Sequence, residues 1–111
     1  MSEISEAEKV KQKPAPTLVI PLDEPVAHKG AHYTELSLKE PTGRVVLDAE
    51  KHLKGAAIGP ADLRLYQFTL VSGASGVPFD VLRDFFPISV INEGLRYLQG
   101  FIEAGESIGE K

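Results

Sequence analysis

The sequence predicts an α+β domain that is mostly helical: an N-terminal β-hairpin packed against three or four α-helices. Three observations carry this. Two short segments near the start, residues 17–22 and 33–39, are β-branched or alternate polar with apolar. From Thr42 onward the apolar residues recur at helical spacing. Gly and Pro fall between those runs, at Pro41, Gly55, Gly59-Pro60, Gly73, Gly76, Pro78 and Pro87.

Residues 1–16 are Ser, Glu, Lys, Gln and Pro with almost nothing to bury, the composition of a disordered N-terminal arm. Residues 17–103 form the single globular domain and residues 104–111 a flexible tail. Residues 17–22, TLVIPL, read as a strand that Pro21 places at an edge or an end, because proline lacks the N–H a ladder needs. A loop with Pro25 and Gly30 as breakers follows. In residues 33–39, Tyr33, Glu35, Ser37 and Lys39 share one face and Thr34, Leu36 and Leu38 the other, as in a half-buried strand. Two strands alone are marginal in water, so helices must cover one face.

Thr42 is placed to cap a helix over 43–54, with Val45, Val46, Ala49 and Leu53 on one side. Arg44 with Asp48, and Glu50 with Lys54, are spaced as ion pairs on the solvated side. Pro60 opens the next helix, 60–72, which is apolar nearly all round and therefore central; Gly73 ends it. A short helix runs from Pro78 to about Phe85. Pro87 begins the last, over 87–103.

That last helix has the most informative pattern. At about 100° per residue, Ser89, Asn92, Glu93, Arg96, Gln99 and Glu103 fall within one third of the circumference. Ile88, Ile91, Leu95, Leu98 and Ile102 form one apolar stripe; Val90, Gly94, Tyr97 and Phe101 form a second beside it. One core contact needs only a stripe of about 100°. The double stripe leaves two readings open: a helix wedged between two neighbours in its own chain, or one that also receives a second copy or a partner helix.

The sequence excludes several classes. The 111 residues fit one domain. There is no cysteine, which excludes disulfides and thiolate zinc sites and fits a reducing compartment. The apolar runs are too short to span a membrane, and the polar N-terminus is no secretory signal. The net charge of −4, with no basic block, argues against nucleic-acid binding. His28 and His32 sit in the predicted loop without further ligands. Ser72-Gly73-Ala74-Ser75-Gly76 lacks the spacing and lysine of a phosphate loop and reads as an inter-helix turn. Asp80 and Asp84 lie one turn apart beside Arg83, and Asp80 compensates a helix start. No catalytic residue, metal site or cofactor is expected.

The run Tyr33-Thr34-Glu35-Leu36-Ser37-Leu38-Lys39-Glu40-Pro41-Thr42-Gly43-Arg44 resembles the EL.LREPTGRD segment of small phage tail assembly chaperones of the Mu-like type. The order of parts is similar too: a strand and a glycine loop before it, a helix after it, then Leu63 to Pro78 with Gly76-Val77-Pro78 and Leu82, and a closing helix with Leu98 and Phe101. The likeness covers about residues 17–103. The chain departs from the family where the last helix starts, with Phe86-Pro87-Ile88-Ser89 in place of an acidic residue.

The resemblance implies a chaperone in the host cytoplasm that coats the tape measure protein, keeping its apolar helices soluble until the tail tube forms. It also brings in the tail tube protein, through a longer frameshifted form. The double stripe leaves room for homo-oligomers. Tyr97, Leu98, Phe101 and Ile102 are the residues expected to contact the partner. The alternative is a structural or tail-completion protein retained in the virion.

Overall fold

The computed structural model describes residues 14–55 and 57–109, with side chains through Glu103. The arm reading for residues 1–13 lies outside these. Strands β1, Thr17–His28, and β2, Ala31–Lys39, form a two-stranded antiparallel sheet. Helices α1, Gly43–Glu50, α2, Pro60–Ser75, α3, Phe79–Phe85, and α4, Ile88–Gly109, follow, with α2 and α4 packed on the sheet, and a 3-10 turn, Lys51–Leu53, follows α1.

The hairpin is longer than the sequence pattern indicates. Its strands run up to a two-residue turn, Lys29-Gly30, with φ of 51° and 84°. Two successive left-handed residues match the right-handed twist of the strands. The expected loop over 23–32 is instead a bulge within β1. Pairing runs from Thr17↔Lys39 to Pro21↔Glu35 and resumes at Val26↔Tyr33, so Leu22 to Pro25 stand opposite Thr34 alone. Pro21 and Pro25 bracket this offset, where a missing N–H costs no ladder bond. His28 and His32 therefore lie on strands and not in a loop.

The offset also changes which side chains face inward. Near the sheet's base, Leu18 and Ile20 pair with Leu38 and Leu36 over the core. Beyond the bulge the alternation of β2 reverses: Thr34 is exposed, while Tyr33 packs on the core, its ring 5.8 Å from that of Phe86. The expected grouping of Tyr33 with Glu35, Ser37 and Lys39 fails there because alternation holds only while register does.

The helix starts follow local chemistry. The Val45 N–H donates to Thr42 Oγ1 at 3.3 Å, capping α1. The last turn of the predicted 43–54 helix tightens into the 3-10 turn. Asp48 pairs at 3.3 Å with Lys51 on the exposed side. The Gly59 N–H donates to Asp62 Oδ2 at 2.9 Å ahead of Pro60. Helix α2 passes through Gly73 and ends at Gly76, whose φ of 83° and N–H to Ser72 O bond at 2.8 Å close it. Gly73 instead marks a close approach: a Cβ there would stand 2.5 Å from Val45 Cγ1. Helix α4 takes in the predicted 87–103 helix and continues to Gly109.

Helix α2 touches α1, α3, α4 and β2. Its own Leu70 and Val71 and, from other elements, Leu36, Leu38, Leu82, Ile91 and Leu98 are all at most 2% exposed. Each such side chain contributes about 1.5–3 kcal/mol by leaving water. Among the described residues no polar or charged side chain is buried.

Candidate functional site

An apolar groove opens where β2 hands over to α1. Pro41 ends the strand and Thr42 caps the helix within two residues, which sets the angle at which α1 leaves the sheet. That angle brings Val46 and Leu47 opposite Phe101 and Ile102 near the far end of α4. The groove between them holds about 460 Å³ and is lined by Glu40, Pro41, Gly43, Val46, Leu47, Phe101 and Ile102. Among the described residues, Glu40 is the one charged residue that lines it. Leu47, on the rim of this concavity, is 64% exposed.

The four residues singled out on α4 are close together but differ in access. Leu98 is wholly buried and Phe101 is 7% exposed. Tyr97 and Ile102 are half-buried against the core. The Tyr97 hydroxyl donates to the Ala15 carbonyl at 2.6 Å, and its ring stands edge-on to Phe101 at 5.2 Å. Burial, with a smaller contribution from the Glu40 charge, pushes the Tyr97 hydroxyl up from its ordinary value, so it remains a donor. One residue beyond Gln99, the ring of Pro14 lies so close to Gly100 that a Cβ there would meet its Cγ at 2.7 Å. Residues 14–16 thus form a strap across this face of α4.

Much of both stripes of α4 packs within the chain, although Ile88 is exposed and Phe101 and Ile102 line the groove. Ile91, Leu95 and Leu98 enter the helical core, where Gln99 Nε2 also reaches the Tyr66 hydroxyl at 3.5 Å. Val90, Gly94 and Tyr97 face the hairpin and strap; a Cβ on Gly94 would meet Leu38 Cδ1 at 2.8 Å. The chain's own elements thus take up much of the double stripe. The open apolar surface lies at the seam of α1 and α4 instead.

Residues 19–102 match the family model described as "Phage tail assembly chaperone proteins, E, or 41 or 14". The chain belongs to the phage tail assembly chaperone family. The matched span includes both walls of the groove. Such chaperones are in general non-catalytic, and their partners are proteins of tail assembly. No curated protein and no solved structure matches the chain. Among the chaperone's described residues no helix is long and apolar enough to cross a membrane.

The sequence reading missed the α1 wall. Leu47 stands on the side of α1 opposite the stripe of Val45, Ala49 and Leu53, a large apolar residue among solvated ones. That misplacement was the available signal. A second set of exposed apolar side chains lies just before and along the first half of α2, where Ile58, Leu63 and Leu65 are 50%, 46% and 38% exposed. Helix α2 is thus central only in its second half, although it is apolar all round. Beside this area, the rings of Phe68 and Phe79 meet at a tilt with centroids 6.0 Å apart, and Arg83 lies 5.9 Å from the Phe79 centroid. Arg83 is also held by Asp84 at 2.7 Å, and this hydrogen bond keeps the Asp84 carboxyl below its usual range.

The remaining polar motifs are structural. Ser72 Oγ donates to the Val77 carbonyl at 2.7 Å and Ser75 Oγ accepts from the Val77 N–H at 3.1 Å, which closes the turn between α2 and α3. His28 packs on Phe85 at 5.1 Å between centroids, and His32 is exposed across the turn from it.

Proposed function

We propose that this chaperone binds the tape measure protein of its phage in the host cytoplasm and keeps that client soluble until the tail tube assembles. The observation that carries the reading is the open groove of Pro41, Val46, Leu47, Phe101 and Ile102 in a member of a tail assembly chaperone family. A long helical client presents apolar side chains at i, i+3, i+4 and i+7, and a shallow apolar groove accepts such a row without demanding one sequence. Each contact is weak, so many copies along one client give retention that the assembling tube can still reverse. Phe101 and Ile102 form the α4 wall of the groove. Tyr97 and Leu98 hold that wall in place from beneath. In the same reading a frameshifted longer form recruits the tail tube protein, and copies on one client touch as homo-oligomers.

The test is co-expression with the tape measure protein, followed by pull-down and mass measurement. The wild-type chain is expected to co-purify in several copies and to rescue client solubility, whereas Leu47→Ser loses most of the retained client at unchanged fold. An insoluble client with this chain eluting alone overturns the reading. Recovery of the chain from purified particles would then identify a structural or tail-completion protein kept in the virion.

A further inference from the structure

We infer that two copies of this chain pair edge to edge through β2, antiparallel, and so build one four-stranded sheet. The two edges of the hairpin differ. β1 carries Pro21, Pro25 and the bulge between them, devices that keep a further strand from pairing there. β2, Ala31–Lys39, holds no proline and no glycine. Among the described residues its outer edge pairs with no other strand, and no loop backbone bonds to it. A regular strand with unpaired N–H and C=O groups is a template for another strand.

Charge selects the occupant and the register. Glu35, Ser37 and Lys39 are exposed on β2, while Leu36 and Leu38 between them are buried. Glu35 and Lys39 lie four residues apart, about 13 Å along a strand, too far to pair within one copy. Neither has an ion-pair partner among the described residues; Glu35 accepts only from the Ser37 hydroxyl, at 3.1 Å. An antiparallel pairing centred on Ser37 sets Glu35 opposite Lys39 of the second copy, and Lys39 opposite the second copy's Glu35. Both cross-strand pairs are then attractive. A pairing centred on Glu35 sets two carboxylates against each other, so the same residues reject that register. A second copy carries the complementary spacing by symmetry, whereas any other strand would have to reproduce it.

Room exists beside this stretch. Helix α2 runs alongside β2, but its end is Gly73-Ala74-Ser75-Gly76, and an open groove of about 520 Å³ is lined in part by those residues and by Ser37, Leu38 and Lys39. Leu36 and Leu38 already lie in the core, so pairing gains backbone hydrogen bonds and ion pairs but little apolar burial. The dimer is therefore weak and reversible. It is also closed, because each β2 edge is used once and the edges left outside are the proline-bearing β1 strands. Pairing does not rest on the client reading above. Where that reading holds, each pair brings two α1–α4 grooves to one client.

The full chain alone provides the test. In sedimentation equilibrium its mass is expected to rise from one chain to two with concentration, less readily at high salt. Glu35→Lys or Lys39→Glu alone turns both attractive pairs repulsive and should weaken dimerisation about tenfold. The two substitutions together restore opposite charges and should return it close to the wild-type value. Both positions are exposed, so the variants are expected to keep the wild-type Tm. Amide exchange within residues 35–39 should slow about twofold or more on dimerisation, while residues 17–21 keep their rates. A chain that stays monomeric throughout overturns the inference. So do single variants that dimerise as well as the wild type, a double variant as weak as the singles, or protection that falls on the α1–α4 seam instead of β2. No client enters this experiment, so loss of client retention with the dimer intact counts against the client reading alone.

Discussion

The Tyr97 hydroxyl holds the Ala15 carbonyl at 2.6 Å across 82 positions of sequence. This bond fastens the start of the hairpin to the middle of the last helix. Tyr97→Phe removes it while keeping the ring against Phe101, and a net loss of about 0.5–1.5 kcal/mol is expected in urea unfolding. The same hydroxyl sets a pH dependence. Its folded pKa is raised above the unfolded value near 10, so its contribution is complete below about pH 10 and declines as pH rises through the folded value. Stability measured across that alkaline range should fall less steeply in Tyr97→Phe than in the wild type.

Gly73 and Val45 form a close contact between α2 and α1. Alanine normally stabilises a helix interior, but here its Cβ would meet the stiff, branched Val45 side chain at 2.5 Å. Gly73→Ala should cost about 1–3 kcal/mol. Combining it with Val45→Ala makes room, so the double variant should be more stable than the sum of the two single losses indicates. A double-mutant cycle by chemical denaturation measures this coupling.

Leu47 and Leu98 should separate binding from folding. Leu47 is 64% exposed and its replacement by Ser should change stability by no more than about 0.5 kcal/mol. Leu98→Ala, at a wholly buried position, should cost about 2–5 kcal/mol. Client retention in pull-down should fall for Leu47→Ser with Tm unchanged. For Leu98→Ala any loss should track the drop in Tm.

Lys29 adopts φ of 51° at the hairpin turn, a conformation that costs a lysine about 1–2 kcal/mol and an asparagine less. Lys29→Asn creates the Asn-Gly pair that type I′ turns favour. A gain of roughly 0.5–1 kcal/mol is expected, visible as a Tm rise of a few degrees.

Much of the fold was legible because its signals are local. Thr42, Pro60 and Pro87 mark helix starts through capping and φ restriction, which need no tertiary partner. The reversal at Tyr33 was not legible. It depends on how many residues β1 inserts opposite Thr34, and that offset serves the contacts of Tyr33 and His28 with Phe86 and Phe85. Gly73 shows the same limit: its sequence suggests a terminus, while its position under Val45 makes it a packing site. For the groove, the sequence pointed to Phe101 and Ile102 through the double stripe. Pro41 and Leu47 escaped it, because a lone apolar residue on a solvated helix face is common on protein surfaces and acquires meaning only from what stands across the gap.

The two walls of the groove are separated by about half of the chain, one wall at Pro41 to Leu47 and the other at Phe101 and Ile102. During synthesis the first wall emerges long before its counterpart. The groove can therefore close up only after α4 has left the ribosome, so a nascent or prematurely terminated chain presents Leu47 with nothing opposite it. Truncation of α4 before Phe101 would remove one wall of the groove even where the hairpin and α1 had formed.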